Sequence, residues 1–237
     1  MEKASTQNSF TAGLKGGIPI GLGYVSVGFA FGMMAVLEGL TPVQALIISL
    51  ANVTSAGQFA GLNLIAAQAG LMEMALTQFV INMRYALMSI SLSQKVDKTV
   101  HVLDRFLISF VNTDEVFAVA ASQKGEVGKW YLYGLITCPY FGWALGTLLG
   151  AAAGDFLPAV ITSALGIAIY GMFLAIIIPP ARHNGAVLKV LIISVLLSCM
   201  FRYLPGLNKV SGGFAIIICT LVSAAAGALL YPVKEGE

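Results

Sequence analysis

Charge is what this chain has least of. Lys and Arg number 13 and Asp and Glu 11 among 237 residues, 10% in all, whereas a soluble domain carries about 25%. A water-facing surface cannot be assembled from that inventory. The net charge of +2, with no basic patch interleaved with aromatics, gives no footing for nucleic acid. Cysteine is scarce too. Cys138, Cys199 and Cys219 lie in apolar runs without C-x-x-C spacing, which argues against a disulfide framework or a cysteine metal site and leaves three small hydrophobes. His101 and His183 lie in loops, far from any ligand spacing. With no nucleophile–base constellation, phosphate loop, ATP-binding motif or metal cluster, neither an enzyme nor a cofactor is expected.

What the chain has in quantity is apolar length. Hydrophobic residues make up 58% and mean hydropathy is +0.87. About 20 apolar residues cross a hydrocarbon core about 30 Å thick. Runs of that order recur at 17–37, 43–67, 70–93, 105–122, 130–153, 157–178, 187–203 and 211–232. Glycine, proline and charge concentrate between them, as in "EGLTP" at 38–42, "SQKGEVGK" at 122–129 and "PPARHNG" at 179–185. The expected fold is all-α: a polytopic membrane bundle of about seven or eight spans in the lipid bilayer. The polar stretch Met1 to Lys15 precedes an apolar run too long for a cleaved signal peptide. No extramembrane domain is expected, since the longest polar connection is 93–105.

An internal repeat is visible. "GFAFG" at 28–32 matches "GTLLG" at 146–150, and Arg84-Tyr85 matches Arg202-Tyr203, both at an offset of 118. Between them Pro42 matches Pro158, and "GQF" at 57–59 matches "GMF" at 171–173. Four matches in order divide the chain into a polar tail over 1–16, a first membrane repeat over 17–122, a linker over 123–129, a second repeat over 130–232 and a tail over 233–237. Repeats of this kind underlie alternating access in many transporters. If all eight runs cross, Lys and Arg divide almost evenly between the two sides. If 105–122 is re-entrant or broken, Lys95, Lys98, Arg105, Lys124, Lys129, Arg182, Lys189 and Lys234 share one side. That division obeys the positive-inside rule better. It expects seven crossings, the N-terminus outside, the C-terminus inside and an inverted repeat.

Two stretches carry polar chemistry inside apolar runs. In "NTDEVFA" at 112–118, Asp114 and Glu115 stand together, and Arg84 is embedded in "INMRYALMS". A carboxylate in a bilayer costs several kcal/mol unless paired, protonated or wet. One acid can neutralise Arg84, leaving the other to protonate, because adjacent ionised carboxylates repel. Asn82 and Asn112 would orient the cluster. A purely structural ion-pair group, or hydrated acids near the surface, also fits these residues. "ANVTSAGQFAG" at 51–61 places Asn52, Thr54, Ser55 and Gln58 around Gly57 in mid-run. A discontinuous helix needs such residues, because freed backbone groups must find partners, and its exposed N–H groups attract a carboxylate. Helix–helix packing uses the same small residues, as does the matching stretch "ITSALGIAIYGMF" at 161–173. The two G-x-x-x-G pairs read as close-packing faces, and Glu73 reads as lying at a membrane interface.

The chain resembles the AzlC family, the large subunits of bacterial branched-chain amino acid exporters, over residues 13–230. The resemblance rests on "PIGLGYVSVGFAFG" at 19–32, "TSAGQF" at 54–59, "NMRYALMS" at 82–89 and, most specifically, "TDEVFA" at 113–118. Where many members carry Arg-His, this chain has Arg84-Tyr85. Where they carry Gly-Ala-Ser-Gln-Phe, it has Ser55-Ala56-Gly57-Gln58-Phe59. The resemblance implies export of hydrophobic amino acids from the bacterial cytoplasm across the cytoplasmic membrane, together with a small AzlD-like membrane subunit. With no ATP motif, coupling to an ion gradient is expected. Asn52, Thr54, Ser55, Gly57 and Gln58 are the expected substrate contacts. Asn82, Arg84, Asn112, Asp114 and Glu115 form the expected coupling cluster. A channel-like pore, with the acids as a cation-attracting ring, is the alternative.

Overall fold

The computed structural model describes residues 8–153, 174 and 177–232. Among these residues the fold is all-α, as expected, with a short 3-10 turn at Leu207–Lys209 and an isolated β-bridge between Val96 and Val127. The helices are α1 (Phe10–Leu37), α2 (Pro42–Ala51), α3 (Ser55–Ala66), α4 (Leu71–Ser93), α5 (Val102–Phe110), α6 (Asp114–Ser122), α7 (Lys129–Ala153), α8 (Gly185–Tyr203) and α9 (Gly212–Leu230). Among them α1, α7, α8 and α9 are long and apolar enough to cross a membrane. α4 has the length, 23 residues, but carries Glu73 and Arg84. Pro158 and the stretch 161–173, invoked for the repeat, lie outside the described residues, as does most of the run 157–178.

The described residues form two compact units. One comprises the residues up to Phe59 together with Asn82 through α7. The other comprises Ala60–Ile81 and the described residues from Leu174 onward.

The first unit is organised by α1 against α7. Glycine costs a helix about 1 kcal/mol relative to alanine, yet α1 buries Gly13, Gly17, Gly21, Gly28 and Gly32 along one stripe. A Cβ at Gly28 or Gly32 would lie 2.5 or 2.0 Å from the carbonyl oxygen of Trp143 or Thr147. From the other side, a Cβ at Gly146 or Gly150 would lie 2.3 or 1.9 Å from the carbonyl oxygen of Val25 or Phe29. The two G-x-x-x-G faces therefore pack on each other within one chain. Close backbone approach is what drives helix association in lipid, where apolar side chains gain nothing by leaving the solvent. The contacts advance in step: Gly13 meets Tyr131, Gly17 meets Leu135 and Gly32 meets Thr147. α1 and α7 thus run parallel. For this matched pair of segments the expected inverted relation does not hold.

The runs 43–67 and 105–122 do not form single crossing helices. Each folds back as a hairpin of two short helices. α2 starts at a capping box, in which the Thr41 side chain accepts the Gln44 N–H and Gln44 Oε1 accepts the Thr41 N–H, with Pro42 as the first residue. It then follows α7, with Ser49 Oγ 2.7 Å from Thr147 Oγ1 and the Tyr140 hydroxyl donating to the Leu50 carbonyl at 3.2 Å. After a break at 52–54, α3 returns. Gln58 Nε2 donates to Ser49 Oγ at 2.9 Å, and the Phe59 ring meets Phe31 edge-on at 5.6 Å.

The second hairpin enters from the opposite end. The Tyr133 hydroxyl donates to Asp104 Oδ1 at 2.7 Å near the start of α5, and the Phe110 ring lies 6.4 Å from Tyr140 at its finish. After a break at 111–113, α6 returns until Val119 lies beside Gly16. At 1.5 Å per residue such helices are about 15 Å long, half a hydrocarbon core. Both tips therefore stop at the middle of α1 and α7. The expectation that 105–122 falls short of a crossing is met, and 43–67 falls short as well.

That second shortfall changes which ends meet. The bridge Val96–Val127 joins the loop after α4 to the loop before α7. Asn8 accepts the Gly128 N–H at 3.0 Å and donates to the Glu126 carbonyl at 3.2 Å. Lys15, Lys95, Lys98, Arg105, Lys124 and Lys129 thus share one end of this unit with the start of α1. The sequence alone had set the N-terminus and the 95–105 cations on opposite sides, because it counted 43–67 as a crossing.

In the second unit α8 pairs with α9, and α9 begins on Glu73. The sequence reading placed Glu73 at an interface. Within the protein it is buried at 8% exposure, and its Oε1 accepts the Gly213 N–H at 2.9 Å. A carboxylate there satisfies an orphan amide at a helix N-terminus. A Cβ at Gly213 would sit 2.5 Å from Glu73 Oε1 and 2.7 Å from Thr77 Oγ1. Gly213→Ala is therefore expected to lower the melting temperature of the detergent-purified protein by several degrees, equivalent to about 1–3 kcal/mol of overpacking. Glu73→Gln, which keeps the acceptor oxygen, should cost less than Glu73→Ala. Equal losses for the Gln and Ala variants would exclude the helix-end contact as the reason for burying this acid.

Candidate functional site

The tips of the two hairpins meet around one polar cavity of about 210 Å³, lined by Asn52, Val53 and Thr54 from the first tip, Phe110 and Asn112 from the second, and Asn82 and Tyr85 from α4. Each tip interrupts a helix in mid-membrane. Irregular backbone at that depth is tolerated only where it is buried in protein or lines a wet cavity. Polar residues sit at both breaks for this reason. Thr54 Oγ1 donates to Asn52 Oδ1 at 3.1 Å, and Asn112 Nδ2 donates to Ser89 Oγ at 3.1 Å. Asn112 is 2% exposed, and its Oδ1 has no partner among the described residues. A buried acceptor left in that state costs about 1–3 kcal/mol, so a donor from solvent or solute is called for at this point.

The charged cluster adjoins this cavity. Arg84 Nη1 lies 2.8 Å from Asp114 Oδ2, both side chains about half exposed. Arg84 Nη2 donates to the Tyr85 hydroxyl at 3.1 Å, and the guanidinium lies 4.9 Å from the centre of the Tyr85 ring. Arg84 thus spans from the acid to a residue of the cavity wall. Of the two acids the sequence left interchangeable, the structure pairs Asp114 with the arginine. Glu115 turns the other way, where its Oε2 accepts from the Tyr24 hydroxyl. That hydroxyl also shares a hydrogen bond with Thr113 Oγ1 at 2.7 Å. Both acids occupy the first turn of α6, behind Thr113 as its N-cap residue, where the helix dipole favours negative charge.

The expected residues divide accordingly. Asn52, Thr54, Asn82 and Asn112 come together at the cavity, while Ser55, Gly57 and Gln58 are not in its wall. Gln58, 1% exposed, points into a buried chain of hydroxyls through Ser49 to Thr147, whose Oγ1 donates to the Trp143 carbonyl at 3.0 Å. It holds the two arms of the first hairpin together. The sequence reading missed Tyr24, and treated Tyr85 only as a departure from Arg-His. Tyr24 left no local sign, being one aromatic in an apolar run. The break before Asp114 did leave one: threonine followed by two acids is a helix-start pattern.

Two opposed broken hairpins enclosing a polar cavity, carried on apolar helices, define a helical membrane protein and are consistent with a transporter. Its relatives place it further. The chain matches the AzlC protein family over residues 19–157 and belongs to that family. It is 30% identical over 178 residues to "Inner membrane protein YgaZ" of Escherichia coli (strain K12), covering 72% of each chain. It is 31% identical over 190 residues to an "Uncharacterized membrane protein" of Archaeoglobus fulgidus, covering 78% of this chain and 83% of the relative. A Helicobacter pylori (strain 26695) membrane protein is 30% identical over 141 residues, 58% of this chain and 61% of its own. No solved structure matches.

Proposed function

We propose that this chain is a secondary transporter that exports branched-chain or other hydrophobic amino acids across the bacterial cytoplasmic membrane, driven by an ion gradient and working with a small AzlD-like membrane subunit. The observation that carries the reading is the meeting of two helix breaks, 52–54 and 111–113, on one polar cavity beside the Arg84–Asp114 pair. A compact dipolar solute suits such a place. Amide oxygens such as Asn112 Oδ1 receive an ammonium group, and amides freed at a break receive a carboxylate. The cation-rich end of the first unit, with Lys15, Lys95, Lys98, Arg105, Lys124 and Lys129, faces the cytoplasm by the positive-inside rule. Because the G-x-x-x-G faces are occupied within the chain, the partner subunit docks elsewhere.

Asp114 neutralises Arg84, so Glu115 is the acid that takes up the coupling proton. Glu115→Gln is expected to leave the protein in the membrane and to remove the dependence of efflux on the proton gradient. Efflux that still responds to a protonophore in this variant would reassign the proton. The function is tested in bacteria lacking their own exporters, fed leucine-, valine- or methionine-containing dipeptides, with this chain expressed alone or with the small subunit. Saturable efflux supports a carrier. Flux without saturation or counterflow would mean a channel, and no efflux in either combination would overturn the substrate class.

A further inference from the structure

A second cavity, of about 330 Å³, adjoins the first. The two share Ser109 and Asn112 in their walls. From that shared edge the second cavity extends toward the cation-rich end of the unit, lined by Ile90, Leu92, Val96, Val100, Ile108 and Leu132, with Arg105 among its few charged or polar neighbours. Leu92, Val100, Ile108 and Leu132 are also buried in the unit's hydrophobic core, while Ile90, Val102 and Phe106 are exposed, so the recess has a fixed inner wall and an open outer side. One side of Asn112 is therefore polar and the other mainly apolar, and its Oδ1, which has no partner among the described residues, stands at the division.

We infer that the second cavity seats the apolar tail of the transported solute while the polar cavity holds its dipolar head, and that its size admits tails up to that of an aromatic ring. The inference rests on the function proposed above and adds what selects the tail. Ligand sites are characteristically apolar recesses with a few convergent polar groups, and the second cavity supplies the apolar recess while the first supplies the polar groups around Asn52, Thr54, Asn82 and Asn112. At about 30 Å³ per heavy atom, the share of a water molecule in the liquid, an isobutyl tail needs about 120 Å³ and a benzyl tail about 200 Å³. The recess exceeds both. Branched-chain residues would leave part of it unfilled, so discrimination among hydrophobic side chains is weak and larger tails are carried as well.

The test fills the recess and reads selectivity. Val100→Phe narrows it from the buried wall. Val96→Phe does so from a less buried position, should the first variant fail to reach the membrane. With the small subunit present, efflux of alanine, valine, leucine, methionine and phenylalanine is measured for the unmodified chain and each variant. The unmodified chain is expected to export phenylalanine along with leucine. The variants should lose phenylalanine and methionine efflux relative to alanine by about tenfold or more, the usual worth of misfit in an apolar pocket. Equal loss for all five solutes in a variant present at normal membrane level would overturn the tail seat, since the recess would then serve folding or access. Unchanged ratios in both variants would overturn it too, showing the recess to be filled by lipid or by the partner subunit. Absence of any amino acid efflux from the unmodified chain would instead be a failure of the proposed function itself, and the tail seat would fall with it.

Discussion

Replacing Arg84 by alanine is expected to reduce amino acid efflux by about tenfold or more, the equivalent of about 1.4 kcal/mol in a rate-limiting step, with little change in the amount of protein in the membrane. The ion pair with Asp114 is half exposed at 2.8 Å beside the polar cavity, and an acid that reaches a wet cavity escapes most of the cost an unpaired carboxylate meets in lipid. Folding should therefore survive. What is lost is positional: the guanidinium connects Asp114 on α6 to the Tyr85 hydroxyl in the cavity wall. Without it, Asp114 is left as an uncompensated acid beside the cavity. Arg84→Lys should restore only part of the activity, because one ammonium is a point charge and cannot reproduce the planar fork that serves both partners. The Arg84→Ala, Asp114→Ala double variant should be no worse than either single one if the two act as a unit. Additive losses in efflux would show that the arginine and the acid work separately.

The largest effect on stability is expected at the contact of α1 with α7. Gly150→Ala adds a Cβ that would lie 1.9 Å from the Phe29 carbonyl oxygen. A backbone atom cannot rotate aside, so the helices must part along a stripe where they also touch at Gly32, Gly28 and Gly146. Alanine gains helix propensity over glycine by about 1 kcal/mol, but overpacking costs about 1–3 kcal/mol and more where nothing can yield. Packing wins here. The melting temperature of the purified protein should fall by about 5 °C or more, with loss of folded yield. Gly23, also on α1, faces open space: among the described residues no atom lies within 4 Å of where its Cβ would stand. Gly23→Ala should thus be neutral or stabilising. A Gly150→Ala protein as stable as the Gly23→Ala one would refute the close packing.

Several features were legible in the residues because they depend on local composition. The scarcity of charge requires a membrane. The polar residues at 52–58 and 112–115 pointed to interrupted helices in mid-membrane, and the structure breaks at 52–54 and 111–113, within or beside those stretches. Arg84 needed an acid, and the candidates were two adjacent residues. What could not be read was which acid it would take, since that depends on how α6 is turned against α1, where the Tyr24 hydroxyl claims Glu115. The setting of Gln58 was open for a related reason. A polar residue near a break can face the cavity or bind the hairpin's own arms, and only the position of Ser49 and Thr147 decides.

By itself, then, the sequence determined the solvent, the helical class and the membership of the chain in its family, and it marked two runs as candidates for interruption without locating the breaks. These follow from hydropathy, glycine spacing and short motifs, which act over a few residues at a time. The tertiary structure alone decided where the two runs break, that 43–67 turns back as 105–122 does, that their tips share one cavity with an aliphatic recess beside it, and that the cations gather at the end where α1 begins. Whether a broken helix continues or reverses depends on what its second half packs against. For α3 that is Phe31 and Ser49, and for α6 it is Tyr24 and the helix around Gly16. Partners that distant in the chain leave no local signature.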